Sequence, residues 1–369
     1  MHTNYRALAT PGVQGLQPYQ PGKPIDELAR ELGLDPAAIV KLASNENPLG
    51  PSKKALAAVS AAAADLCRYP DGNGFNLKQK LAGRYGLSSG QITLGNGSND
   101  ILELAARAFV SCDDEVVYSQ HAFAVYPIVT QALGARHVKV KARDWGHDLE
   151  AMAEAVTDRT RLVFVANPNN PTGTLAGKSE VKRFLQRVPE TVIVVLDEAY
   201  CEYMVGDDMP NGVEFLADHP NLIVARTFSK AWGLAALRVG YALSSVELAD
   251  VLNRVRQPFN VDALALAAAS AVLDDEHYLE LSREVNRLGI QQLEAGFDEL
   301  GLSWIPSQGN FVAVDVGRPA LAIYEALLRE GIIVRPVAAY EMPDHLRVSV
   351  GLEHENARCL LALKRVLGN

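Results

Sequence analysis

Thr191-Val192-Ile193-Val194-Val195-Leu196-Asp197-Glu198-Ala199-Tyr200 is a continuous apolar run that ends in a carboxylate. No polar residue alternates with the valines and leucine from Val192 to Leu196, so both faces of this strand must be covered. Strands of that kind belong to sheets sandwiched between helices. The surrounding sequence repeats the pattern. From about Gln91 onward, short β-branched runs alternate with helical ones: Ile92 to Leu94 then Ile101 to Phe109, Glu115 to Tyr118 then Ala124 to Leu133, and His137 to Val140 then Leu149 to Val156. Arg161 to Ala166, Lys178 to Arg187, Leu222 to Arg226 and Val239 to Leu243 continue it. The alternation predicts an α/β fold with a mainly parallel sheet, whose ligands bind at the carboxyl ends of the strands.

After Arg256-Gln257-Pro258 the pattern changes. Long helical segments, Ala263 to Leu273 and His277 to Leu300, precede short strands at Asn310 to Val314, Ile332 to Arg335 and His345 to Ser349. This predicts a second, smaller α+β domain. The boundaries expected are an N-terminal arm that also feeds the small domain (1–46), a large domain (47–258) and a small C-terminal domain (259–369). Leu16-Gln17-Pro18-Tyr19, in the arm, has no periodicity of its own.

With 369 residues, 48% hydrophobic and 21% charged, the chain has the make-up of a globular protein large enough for two domains. A formal net charge of −9 argues against a nucleic-acid surface, which needs a concentrated basic face. Small anionic substrates stay open, because a few local arginines suffice for them. Met1 to Pro24 is polar and rich in Pro and Gly, unlike a secretory signal, and Ala263 to Leu273 is too short to span a bilayer. A cytoplasmic location is expected. Cys67, Cys112, Cys201 and Cys359 are too scattered for a metal site and read as structural thiols.

The densest chemistry follows the strand at Leu222 to Arg226, in Arg226-Thr227-Phe228-Ser229-Lys230-Ala231-Trp232-Gly233-Leu234-Ala235-Ala236-Leu237-Arg238. A lysine flanked by hydroxyls, with an arginine eight residues on, suits a phosphorylated aldehyde: the amine forms a Schiff base while Ser229 and Arg238 face the phosphate. A surface lysine beside a turn is the alternative. Asp197, at the end of its strand, either pairs with the protonated nitrogen of a pyridine ring or caps the next helix. Tyr200 is placed to direct its hydroxyl toward the ring's phenolic O3. Asn167-Pro168-Asn169-Asn170-Pro171-Thr172-Gly173, after an apolar strand, is either a plain turn or a rigid loop that lets the Asn170 amide donate to the same oxygen, and its many constrained residues favour the second. Leu94-Gly95-Asn96-Gly97-Ser98-Asn99-Asp100 joins a strand to a helix start and reads as a phosphate cup. It lacks the third glycine of a dinucleotide fingerprint. Phe123 either stacks on the ring or is a core aromatic. His121 reads as a solvated loop histidine.

These segments, in this order, together with Asn45-Glu46-Asn47-Pro48-Leu49-Gly50-Pro51 and Arg68-Tyr69-Pro70-Asp71, resemble the class II, fold-type I pyridoxal-phosphate aminotransferases, and within them most resemble the histidinol-phosphate aminotransferases. The similarity runs from Tyr19 to the segment Leu346 to Gly351. The resemblance implies pyridoxal 5'-phosphate as cofactor, Lys230 as Schiff-base lysine and proton shuttle, Asp197 as partner of the ring nitrogen, and Asn170 with Tyr200 at O3. It gives the phosphate to the backbone of Ser98 and Asn99, to Thr227, Ser229 and Arg238, and to Tyr69 crossing from the neighbouring subunit of a homodimer. Phe123 stacks on the ring. Tyr19, Asn47, Arg335 and Arg347 bind substrate, Arg347 taking the amino donor's carboxylate. Two positions depart from the family pattern. Phe123 stands where a tyrosine is common, losing a hydroxyl but keeping the stacking, and Ala236 stands where a glycine is usual.

The activity so implied is ping-pong transfer of an amino group between L-histidinol phosphate and 2-oxoglutarate, giving imidazole acetol phosphate and glutamate in histidine biosynthesis. An aromatic amino-acid aminotransferase and a threonine-phosphate decarboxylase share these motifs. A regulatory domain that binds the cofactor without catalysis is disfavoured, because the chain has neither the length nor the basic charge of an appended DNA-binding module.

Overall fold

The computed structural model describes residues 3–368. Its first strand, β1 (Val40–Lys41), follows an arm whose longest helix is Ile25–Leu32. The central sheet has seven strands: β2 (Ile92–Gly95), β3 (Glu115–Ser119), β4 (Arg136–Val140), β5 (Thr160–Ala166), β6 (Ile193–Asp197), β7 (Leu222–Thr227) and β8 (Gly240–Leu243). They lie in the order β2-β8-β7-β6-β5-β3-β4. Only the pairings made by β8, with β2 and with β7, are antiparallel.

The apolar run that predicts a doubly covered strand lies in the middle of this sheet. Val194 and Leu196 enter one hydrophobic cluster, while Ile193 and Val195 enter the cluster on the opposite face. Burying an aliphatic side chain contributes about 1.5–3 kcal/mol, so β6 is held from both sides. Beneath the chemistry, Arg226 donates from Nε and Nη2 to Glu198 Oε2 at 2.9 and 2.7 Å, and Glu198 Oε1 accepts from the Gly212 N–H at 2.7 Å. This ion pair is fully inside, with the two side chains 8% and 1% exposed.

Five further strands follow the long helix Glu276–Glu299: β9 (Ser303–Ile305), β10 (Phe311–Asp315), β11 (Ile332–Ile333), β12 (Arg335–Pro336) and β13 (His345–Ser349). The sequence predicts one strand over Ile332 to Arg335, but the segment divides at Val334. β11 pairs in parallel with β1, whereas β12 joins the antiparallel sheet β12-β13-β10-β9. The pleat of β13 puts Leu346 and Val348 into a core with Val312, Val314 and Phe297, which turns Arg347 and Ser349 the other way.

Candidate active site

The parallel strands all release their chains at one edge of the sheet, and the candidate residues follow from there: Ser98 after β2, Phe123 after β3, Asn170 after β5, Asp197 at the end of β6, and Ser229 and Lys230 after β7. Because β8 runs the opposite way, its start lies at the same edge. Gly240 pairs with both Thr227 and Gly95, so Arg238, two residues earlier, returns to the phosphate cup. One cavity of about 190 Å³ is lined by Tyr19, Ser98, Asn99, Phe123, Asn170 and Asp197. Tyr200, Thr227, Ser229, Lys230, Arg238, Arg335 and Arg347 also line it, with Ser44 and Asn45. A larger cleft of about 1040 Å³, lined by residues such as Trp145, Arg283 and Trp304, holds none of these convergent groups.

The cup depends on two glycines. Gly97 has φ 79°, and a Cβ there would stand 2.5 Å from Arg238 Nη2. At Gly240 a Cβ would stand 2.5 Å from the Ser98 nitrogen, so the two backbones touch. The first N–H groups of helix Ser98–Phe109 thereby face the same point as Thr227, Ser229 and Arg238. Thr227 Oγ1 donates to Ser229 Oγ at 3.0 Å and accepts from the Ser229 N–H at 3.1 Å, and Arg238 Nη1 donates to Ser229 Oγ at 3.2 Å.

Asp197 caps no helix. Its Oδ2 accepts from the Tyr126 hydroxyl at 2.9 Å, and its buried Oδ1 has no partner among the described residues. Burial pushes its carboxyl up to about 6, against the lowering effects of the Tyr126 hydroxyl and the Ala199 N–H. Lys230 is moved the other way, down to about 7, first by burial and then by the Arg347 charge. Its Nζ donates to the Ser44 carbonyl at 3.3 Å and lies 5.6 Å from the centre of the Tyr200 ring.

The asparagine-rich loop divides its labour. Asn167 Nδ2 donates to the Ala176 carbonyl at 2.9 Å, and Asn169 Nδ2 donates to the His121 carbonyl at 3.0 Å and to Thr172 Oγ1 at 2.9 Å, so both hold the loop in place. Asn170 alone of the three lines the cavity, its Oδ1 accepting from Arg347 Nη1 at 2.6 Å. Arg347 also donates from Nη2 to the Ala43 carbonyl at 2.6 Å. Arg335 lies with its guanidinium 5.3 Å from the centre of the Tyr19 ring.

One expectation needs correction, and two of the predicted site residues lie outside this cavity. His121 is not solvated: it is 5% exposed, with Nδ1 2.7 Å from the Tyr340 carbonyl oxygen. Asn47 does not line the cavity, because its Nδ2 donates to the Ala231 carbonyl at 3.0 Å and to Ser282 Oγ at 2.5 Å, bracing the chain just after Lys230. Tyr69 also lies outside, 84% exposed and stacked on Phe259 at 4.8 Å. Sequence reasoning missed Tyr126 and Asn45. Asn45 belongs to the same motif as Asn47, and the signal for it is a polar residue that must be buried at a bend of the chain.

Residues 37–363 match the family described as aminotransferase class I and II. The chain is 66% identical over 367 residues to histidinol-phosphate aminotransferase 2 of Pseudomonas aeruginosa, covering 100% of both proteins. It is 56% identical over 365 residues to histidinol-phosphate aminotransferase 1 of Idiomarina loihiensis, covering 99% of each. Among solved structures, histidinol-phosphate aminotransferase from Sinorhizobium meliloti in complex with pyridoxal-5'-phosphate superposes with a TM-score of 0.90 at 35% identity, over 97% of each chain.

Proposed function

The chain belongs to the class I and II aminotransferase family, and on that premise we propose that it moves an amino group between L-histidinol phosphate and 2-oxoglutarate, giving imidazole acetol phosphate and L-glutamate. Its cofactor is pyridoxal 5'-phosphate. Two features fit that group: the unpartnered, buried Asp197 Oδ1 suits a protonated ring nitrogen, and the cup beside Gly97 and Gly240 suits a phosphate. Ser98 and Asn99 would hold the phosphate with backbone N–H groups, joined by Thr227, Ser229 and Arg238, with Phe123 against the ring. Bound there, the cofactor supplies an aldehyde that condenses with amines and a ring that takes up electrons as a proton leaves Cα.

The chain's own residues do the rest. An amine lowered to about 7 is largely free of its proton under mildly alkaline conditions, so Lys230 would be able to take up and carry the proton that leaves the substrate's Cα. Asp197 is charged above about pH 6 and favours a proton on the ring nitrogen. Asn170 and Tyr200 would hold the phenolic oxygen as donors. Residues 47–258 form the cofactor-binding body in this reading, and 259–369 with the arm 1–46 form the part that carries the substrate arginines. The active unit is a homodimer in which the exposed Tyr69 reaches the partner's phosphate site.

The observation that carries the substrate assignment is that Arg335 and Arg347 share one cavity with Lys230, which gives planar cationic forks for both a phosphate monoester and a dicarboxylate. The test is a set of single half-reactions followed by cofactor absorbance. Histidinol, which leaves the phosphate contacts unmade, should react at least ten- to hundredfold less efficiently than histidinol phosphate, from about 1.5–3 kcal/mol per charged hydrogen bond. Phenylalanine or tyrosine reacting as fast as histidinol phosphate would transfer the assignment to aromatic amino acids.

A further inference from the structure

Three consecutive residues of the segment after β1 each touch a different side chain of the site. The Ala43 carbonyl accepts from Arg347 Nη2, the Ser44 carbonyl accepts from Lys230 Nζ, and Asn45 Nδ2 donates to Tyr200 Oη at 3.0 Å. Asn45 is 1% exposed and has φ 54°, a backbone that few residues other than glycine and asparagine adopt without strain. All its polar groups are engaged. Its N–H donates to Ser349 Oγ at 2.8 Å, Ser349 Oγ donates back to Asn45 Oδ1 at 2.8 Å, and its carbonyl accepts from Asn310 Nδ2 at 3.0 Å.

This pattern sets directions. The Ser349 hydroxyl already accepts the Asn45 N–H, so its own hydrogen goes to Oδ1, which leaves the carboxamide nitrogen aimed at Tyr200. The phenol oxygen then accepts, and its hydrogen must point elsewhere. The same logic holds for Asn170, whose carbonyl oxygen is occupied by Arg347 and whose NH2 is left as the donor. Arg347 and Ser349 lie on one face of β13. Both donors assigned to the phenolic oxygen are therefore oriented from a single strand, Asn170 directly and Tyr200 through Asn45.

We propose that Asn45 is a positioning residue that turns the Tyr200 hydroxyl toward the cofactor's phenolic oxygen. The proposal rests on the reading of Tyr200 given above. A donor at that oxygen favours its anionic form and lowers the midpoint at which the bound cofactor changes absorbance with pH. The other titratable groups facing Tyr200 are Asp197, Lys230, Arg347, Tyr126, Tyr203 and Tyr340. The substitutions below leave all of them in place.

The experiment is a double-mutant cycle on the holoenzyme without substrate. Its readouts are the pH midpoint of cofactor absorbance and, on cofactor-free protein, the cofactor Kd and the unfolding midpoint. Asn45→Gly keeps the left-handed backbone and removes the carboxamide. It should raise the pH midpoint by about half a unit to one unit, roughly a 3- to 10-fold change in proton affinity, and weaken cofactor binding by a similar factor. Tyr200→Phe should raise the pH midpoint at least as much, and Asn45→Gly should add nothing to it. Ser349→Ala, which frees the carboxamide while keeping Asn45, should give a smaller rise in the same direction. It decides the matter if Asn45→Gly does not fold, an unmoved midpoint then overturning the proposal. Equal shifts in both backgrounds, or a shift for Tyr200→Phe and none for Asn45→Gly, also overturn it. No shift for Tyr200→Phe removes the reading of Tyr200 itself, and the proposal with it.

Discussion

Replacing Asp197 by asparagine should make the cofactor-free protein more stable while abolishing most of the activity of the reconstituted enzyme. Asp197 is 5% exposed, and burial raises its carboxyl from 3.8 to about 6. A group whose folded value lies above its unfolded value stabilises the protein below the unfolded value, and that contribution is lost as pH rises through the folded one. Here the loss falls between about pH 4 and pH 6 and reaches about 3 kcal/mol above it, at 1.36 kcal/mol per unit. The neutral carboxamide introduced by Asp197→Asn keeps an acceptor for the Tyr126 hydroxyl but sets an NH2 where Oδ1 now has no partner, so the net gain at pH 8 should be about 1–3 kcal/mol. For a chain of 369 residues that is roughly 1–4 °C in Tm, from about 2.1 cal/mol/K per residue. The assay is thermal unfolding of cofactor-free wild type and Asp197→Asn at pH 4 and pH 8, beside turnover of the reconstituted proteins. Turnover should fall by several orders of magnitude, because the ring nitrogen loses its anionic partner. A variant no more stable than wild type at pH 8, or a gain that persists undiminished at pH 4, would refute the claim that Asp197 is held charged against burial.

Gly240→Ala should disable the phosphate cup. The added Cβ meets the Ser98 nitrogen, the Gly97 carbonyl carbon and the Arg226 carbonyl oxygen at 2.5–2.9 Å, all of them backbone, and overpacking of this kind costs about 1–3 kcal/mol. Titration of cofactor into the cofactor-free variant should show binding weakened about tenfold or more. Arg226→Met should destabilise the chain by about 3–5 kcal/mol, since it leaves Glu198 buried without its partner, and chemical denaturation should recover most of that loss in Arg226→Met combined with Glu198→Leu.

What the sequence makes legible divides along a physical line. A run such as Val192 to Leu196 declares that both faces are buried, and period-2 and period-3.6 patterns place the strands whose ends carry Asn170, Asp197 and Lys230. Because ligands gather at that edge of a parallel sheet, placing the strands also places much of the cavity. The groups that orient the site obey no such periodicity. Tyr126 reaches Asp197 across 71 residues, Asn45 reaches Tyr200 across 155, and Ser349 closes on Asn45 across 304. Those bonds exist only after four chain segments have packed, and each partner is an ordinary polar residue in its own neighbourhood. The misreading of His121 has the same origin, since the groups around its ring come from elsewhere in the chain, the Tyr340 carbonyl at Nδ1 and the Trp145 ring at 5.3 Å. The division of Ile332 to Arg335 between two sheets is likewise decided by partners, β1 on one side of Val334 and β13 on the other. Local pattern thus reports which face a residue presents, and the hydrogen-bond direction on which the chemistry depends is written in pairs far apart in the chain.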